Sequence, residues 1–301
     1  MAESGAFTLV PRRRLIGLAF AEVRSSRRGV GSDVASSREY RPGDPVDAID
    51  WAASARLSSA RGTDEFVVRE YYTEEAPRVI VLCDYRPSMA FFSPALPWLS
   101  KPRAMRRAAE LVVESAIAAR SFLGYLDVAE EEPLWRPPRT QRVPEELSLE
   151  RPFTAPPDAL ARAIEHLKGH RNALPLGSFV FILSDFLEAA EEVWLEALEY
   201  RWDLVPVVIQ DPVWEQSFPE VAGVVVRLVD PADGRVRAVR LRADEVAERR
   251  AANEQRRAAL LEQLRGLELE PVLVSSDEPD EILAAFLDWA AWRQALRSRP
   301  W

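Results

Sequence analysis

Two hydrophobic patterns alternate from Pro77 onward, and the stretch before Pro77 shows neither. PRVIVLCD is an unbroken apolar run ending in an aspartate, as in a strand buried on both faces of a parallel sheet. SKPRAMRRAAELVVESAIAARSFL follows. Ser100 suits an N-cap, Pro102 suits a first turn, and Met105, Ala109, Val112, Ala116, Ala119 and Leu123 recur on one helical face. GYLDVAEEEPLWRPP reads as two short strands around an acidic turn, and RTQRVPEELSLERPFTAPP as a proline-rich connection. PDALARAIEHLKGH predicts a helix ending near Gly169. GSFVFILSDF is a second buried strand, LEAAEEVWLEALEYR an amphipathic helix, and WDLVPVVIQDP a third buried strand. Pro219 to Arg242 predicts a hairpin around an Asp-Gly turn, residues 243–266 a long charged helix, LELEPVLVSS a last parallel strand, and DEPDEILAAFLDWAAWRQALR a closing helix.

Strand–helix–strand order with right-handed crossovers makes this part α/β. It predicts a doubly wound, mostly parallel sheet with its strand C-termini on one edge. Residues 1–76 read as a strand-rich N-terminal module, with poor helical periodicity and turn signals at RRGVGSD, RPGDP and SSARGTD. The expected organisation is therefore a module over 1–76 and an α/β domain over 77–301, the latter carrying a hairpin-and-helix insertion at about 213–267.

Composition narrows the function classes. A formal net charge of −9 over 301 residues argues against a general nucleic-acid or acidic-membrane binder. The first thirty residues are locally basic, which leaves a nucleic-acid-binding module through Arg12–Arg28 as one alternative. Cys83 is the sole cysteine and reads as a buried thiol. The apolar run after Arg12 is cut short by Glu22 and Arg24, and no stretch approaches the ~20 apolar residues of a bilayer span, so a cytoplasmic location is expected. There is no Gly-x-x-x-x-Gly-Lys loop, no Gly-x-Ser-x-Gly elbow and no Cys/His pair. His166 and His170 stand four apart, but in EHLKGH rather than His-Glu-x-x-His. They read as helix-end residues sooner than zinc ligands.

Ligand sites in such sheets lie outside the strand C-termini. Those ends carry Asp84 and Ser88, then Ser184 and Asp185, then Gln210 and Asp211. Oxygen ligands from separate loops suit magnesium or manganese, and aspartates after strands equally cap turns. Asp84 and Asp185 with a metal would make a phosphoryl-chemistry enzyme. Arg86 stands between Asp84 and Ser88, where its guanidinium either neutralises the carboxylates in place of a metal or swings outward. No cofactor, or weak magnesium or manganese, is the corresponding expectation.

Two stretches carry a family resemblance. DYRPSM after its strand resembles the Asp-x-Ser-x-Ser metal-ion-dependent adhesion site of von Willebrand factor A domains, and SDF resembles that site's later aspartate. REYRPGDPVDAIDWAASAR resembles the signature of the family called domain of unknown function 58, through Arg38, Tyr40, Arg41, Gly43, Asp44, Asp50, Trp51 and Arg56. The resemblance covers about residues 12–295. It implies a von Willebrand factor A-like fold, a site at Asp84, Ser88 and Asp185, and a MoxR-type AAA+ ATPase as partner. It also implies a protein-interaction adaptor working through the C-terminal edge of the sheet, not an enzyme. The chain departs from the site pattern at Arg86, which replaces the middle serine, and in the third loop, where Thr154 and Asp158 stand in place of a threonine in register. The signature itself reads as a structural ion-paired plug or as a docking surface. Oligomeric state is not legible.

Overall fold

The computed structural model describes residues 5–12, 28–39, 49–62, 66–72, 76–90, 99–130, 132–187, 191–229 and 235–297. The chain forms two compact units, one of Met1–Arg12 with Arg78–Trp301 and one of Arg13–Pro77.

In the smaller unit, strand β1 (Arg28–Glu39) pairs antiparallel with β2 (Val67–Tyr72), with register shifts between Gly29 and Ser36. Between them lies helix α1 (Trp51–Arg61), where the sequence pattern predicted none. Caps rather than a hydrophobic stripe define this helix. Asp50 accepts from the Ala53 N–H at 3.0 Å, and Gly62 ends the helix in the left-handed region at φ 68°. Ser54 ties helix to strand, since its hydroxyl donates to the Asp50 carbonyl at 2.7 Å and accepts from the Val67 N–H at 2.8 Å.

The larger unit is built on a six-stranded sheet. Its elements are β3 (Arg78–Cys83), α2 (Lys101–Ala118), β4 (Phe122–Asp127), β5 (Leu134–Thr140), α3 (Ala159–Gly169), β6 (Phe179–Ser184), α4 (Glu191–Glu199) and β7 (Asp203–Ile209). Then come β8 (Val225–Val229), β9 (Val236–Arg240), α5 (Ala243–Gly266), β10 (Val272–Val274) and α6 (Pro279–Arg297). Strand order is β10-β7-β6-β3-β4-β5, all parallel except β5, which runs antiparallel to β4. This is a mixed α/β architecture with a mostly parallel central sheet flanked by helices. The chain leaves β3 toward β4 on one side and returns to β6 on the other, so the switch point lies at the C-terminal ends of β3 and β6. β8 and β9 form a separate antiparallel pair. Together with α5 they cover a small core of Phe218, Leu241 and Val246. The Asp-Gly turn of that hairpin lies outside the described residues.

Two expectations are corrected. Helix α2 stops at Ala118, because Arg120 adopts a left-handed φ of 52° and Ser121 leads into β4. Ala119 and Leu123 therefore leave the helical face, and Leu123 is buried in β4. Ser100 does occupy the N-cap position, with Pro102 in the first turn, but its side chain makes no capping bond. The described part of the first twelve residues, Gly5–Arg12, belongs to the sheet unit rather than to an N-terminal module. Phe7 packs on Phe286 at 4.7 Å, Trp289 at 5.8 Å and Phe181 at 6.1 Å between ring centroids. The Arg12 N–H donates to Asp203 at 2.7 Å, and the Val10 carbonyl accepts from Arg293 at 3.0 Å.

Candidate functional site

Both aspartates singled out by sequence stand at the switch point. Asp84 follows β3, and its N–H is bonded to the Leu183 carbonyl of β6 at 3.0 Å. The loop then folds on itself as an Asx turn, with the Arg86 N–H donating to Asp84 Oδ1 at 2.9 Å. That turn brings the Arg86 guanidinium back across its own aspartate. Nε lies 2.9 Å from Oδ2 and 3.1 Å from Oδ1, and Nη2 lies 2.7 Å from Oδ2. Nη2 also reaches Ser184 Oγ at 3.2 Å, and Ser184 donates to Asp84 Oδ2 at 2.6 Å. A forked guanidinium on a carboxylate is the geometry arginine is built for. Ser88 sits in the short 3-10 turn Pro87–Ala90, and its hydroxyl hydrogen-bonds Asp185.

Asp185 follows β6 and meets a second cation that the sequence reading missed. Lys101, at the start of α2, places Nζ 3.0 Å from Asp185 Oδ2 and also pairs with Glu215. Asp185 Oδ1 accepts from the Leu187 N–H at 3.2 Å and lies 3.9 Å from Arg86 Nη2. The cluster is sealed, with Asp84 at 2% exposure, Asp185 at 0%, Arg86 at 5% and Lys101 at 1%. Burial alone would raise the Asp185 pKa, but Lys101, Ser88, the Leu187 N–H and Arg86 outweigh it, so the carboxyl is held below the usual range. Burial likewise works against the Lys101 charge, and Asp185 and Glu215 together push its pKa up. Glu215 goes the other way. Burial raises its pKa, Lys101 offsets this only in part, and the Asp185 charge adds to the rise. One ammonium is thus shared unequally between two carboxylates.

The third buried strand end repeats the arrangement. Asp127, the last residue of β4, takes the Arg151 guanidinium in a fork, with Nη2 to Oδ1 at 2.9 Å and Nε to Oδ2 at 3.2 Å. The Tyr125 hydroxyl donates to Asp127 at 2.9 Å and lies 3.4 Å from the Tyr85 hydroxyl. Burial lifts the titration of Tyr85, Tyr125 and Cys83 far above their ordinary ranges, so the single thiol stays protonated. After β7, Asp211 caps a turn through the Val213 and Trp214 N–H groups at 2.8 and 2.9 Å. Gln210 donates to the Asp185 carbonyl at 2.6 Å.

These residues do not fit a divalent cation. Both oxygens of Asp84 are engaged by a guanidinium, and one oxygen of Asp185 by an ammonium. A metal would have to displace two fixed positive charges. Among the described residues no group of three or more His, Cys, Asp or Glu side chains is placed to hold a metal.

The third-loop candidates do not join the cluster. Thr154 donates to the Ala129 carbonyl at 3.3 Å, and Asp158 pairs with Arg162 along α3 at 3.0 Å. In the signature, Asp50 and Trp51 form the start of α1, Arg56 donates to the Ala52 carbonyl at 3.1 Å, and Arg38 lies in β1 opposite Val68. Tyr40, Arg41, Gly43 and Asp44 lie outside the described residues, as do residues 13–27 of the basic stretch. His166 and His170 stack at 4.3 Å beside Trp135. Burial and the neighbouring ring lower the His166 pKa. Among the described residues no helix is long and apolar enough to cross a membrane.

No curated protein and no solved structure matches this chain. Residues 36–259 match the family described as "Protein of unknown function DUF58", a span that takes in the α1 signature, the strands ending in Asp84 and Asp185, both paired cations and most of α5. Over that length the match places the chain in a family, and the protein belongs to DUF58.

Proposed function

We propose that this protein is a non-enzymatic interaction module. In this reading the larger unit is a von Willebrand factor A-like domain. Its metal-ion-dependent adhesion site has become a metal-independent ion-pair cluster, and the C-terminal rim of its sheet is offered to a protein partner. One observation carries the reading. Arg86 forks onto Asp84 and Lys101 onto Asp185, so the positive charge that a metal would bring is covalently part of the chain. The family signature and the loop order favour a MoxR-type AAA+ ATPase as that partner.

Calorimetric titration of magnesium and manganese into the protein, beside Asp84→Ala, tests the first half. No saturable heat is expected from the wild type. Saturable binding abolished by Asp84→Ala would overturn the reading and return a metal-dependent phosphoryl enzyme to first place. For the second half, a purified MoxR-type ATPase is expected to bind equally well with magnesium or with chelator in the buffer. Lys101→Met, which removes the buried ammonium that fixes the Asp185 loop beneath the rim, is expected to weaken that binding. Absence of an interaction in both buffers would reject this partner.

A further inference from the structure

The opposite rim of the same sheet holds an open cleft of about 480 Å³, lined by Arg78, Phe122, Pro138, Arg139, Gly169, His170, Asn172 and Ala173. Arg78 and Phe122 are the paired first residues of β3 and β4, and Pro138 and Arg139 come from the end of β5, so the cleft is fixed to the sheet. Its remaining wall is the end of α3 and the turn that follows. Among the described residues no carboxylate lines it. The carbonyls of the turn are turned inward. The Ala173 N–H takes the His170 carbonyl at 2.8 Å, the Leu174 N–H takes that of Arg171 at 3.1 Å, and Arg78 Nη1 takes that of Ala173 at 2.6 Å. This last bond holds the Arg78 guanidinium in place while leaving it other donors. The side chains of Arg139 and Asn172 make no hydrogen bond or ion pair among the described residues.

The chemistry is therefore one-sided. Two always-charged guanidiniums and an amide offer donors, and among the described residues no carboxylate in the wall neutralises them. A site made of donors calls for a ligand made of acceptors. Phe122, Pro138 and Ala173 add an apolar patch beside those donors, and the volume falls in the roughly 300–1,000 Å³ range of small-ligand sites. We infer that this cleft binds a small phosphate-bearing molecule of mononucleotide size. The phosphate is held by Arg78 and Arg139 with Asn172, and the planar or apolar remainder lies against Phe122. The inference is independent of the reading of the Asp84–Asp185 rim.

Calorimetry with adenosine 5′-monophosphate, inorganic phosphate and phosphate-free adenosine tests it, on the wild type and on Arg139→Ala. Arg139 is exposed, so its removal leaves the fold intact. Saturable binding of the monophosphate, weakened about tenfold by Arg139→Ala and absent for adenosine, is the expected result. Three results would overturn the inference. They are no saturable binding of either phosphate compound up to about 10 mM, adenosine binding as tightly as the monophosphate, or an Arg139→Ala affinity equal to wild type.

Discussion

The two rims of the central sheet use the same residue types in opposite ways. At the C-terminal rim each aspartate that ends β3, β4 or β6 has a cation placed upon it: Asp84 has Arg86, Asp127 has Arg151, and Asp185 has Lys101. At the N-terminal rim Arg78 and Arg139 face a cleft with no carboxylate in its wall among the described residues. Paired and buried, charge fixes geometry and holds a loop in one conformation. Unpaired and open to solvent, it stays available to a ligand. The difference predicts that charge removal is costly at the first rim and nearly free at the second.

Lys101→Met is the strongest break. It leaves Asp185 and Glu215 buried against each other, and urea unfolding at pH 7 is expected to show a loss of about 3–5 kcal/mol. Adding Glu215→Gln should restore part of that loss, and a double variant no better than the single one would show that the shared ammonium is not the link. Arg151→Ala at the Asp127 fork is expected to cost less, about 1.5–3 kcal/mol in the same assay, because the Tyr125 hydroxyl and the Ala129 N–H still satisfy the carboxylate.

Acid sharpens the comparison. Asp185 has a depressed folded pKa, so its contribution is complete above the unfolded value of about 3.9 and is lost as pH falls through the folded value. Glu215 has a raised folded pKa, so its sign is reversed. Its protonated form favours the fold, and stability declines as pH rises from about 4.3 through its folded value. Urea midpoints measured from about pH 3 to about pH 7 should fall at the acid end. Glu215→Gln should remove the decline on the neutral side. Smallest of all, Arg139→Ala should change unfolding free energy by less than about 0.5 kcal/mol. A larger loss would mean that charge at the second rim is tied into the fold as it is at the first.

How much of this was legible follows from how far each signal reaches along the chain. β3, β6 and β7 announced themselves because strands covered on both faces read as continuous apolar runs, and Asp84 and Asp185 because they end those runs. Arg86 was legible as an intruder, being two residues from its partner. Lys101 was not. It meets Asp185 across 84 residues and Glu215 across 114, and in SKPR it looks like any solvated lysine at a helix start. Helix α1 was missed for a different reason. Its apolar residues form no stripe, and its ends are set by Asp50 and Gly62, whose capping roles also fit a turn. Thr154 and Asp158 were suggested by the loop they stand in, but their polar groups find partners in Ala129 and Arg162 instead. The cleft at the far rim could not be read at all, since three strands, the end of α3 and the turn after it each give it only one or two residues.

The segment Gly5–Arg12 has a consequence for how the protein is made. Phe7 completes a ring cluster with Phe286 and Trp289, and the Val10 carbonyl meets Arg293 across 283 positions of chain. A ribosome delivers Val10 and Arg293 283 residues apart. The Phe7 segment is made before α6 and stays apolar and uncovered until α6 is released, and the contact they then form closes a long loop. This part of the sheet unit is thus completed late, and the Phe7 segment is open to wrong partners while it waits.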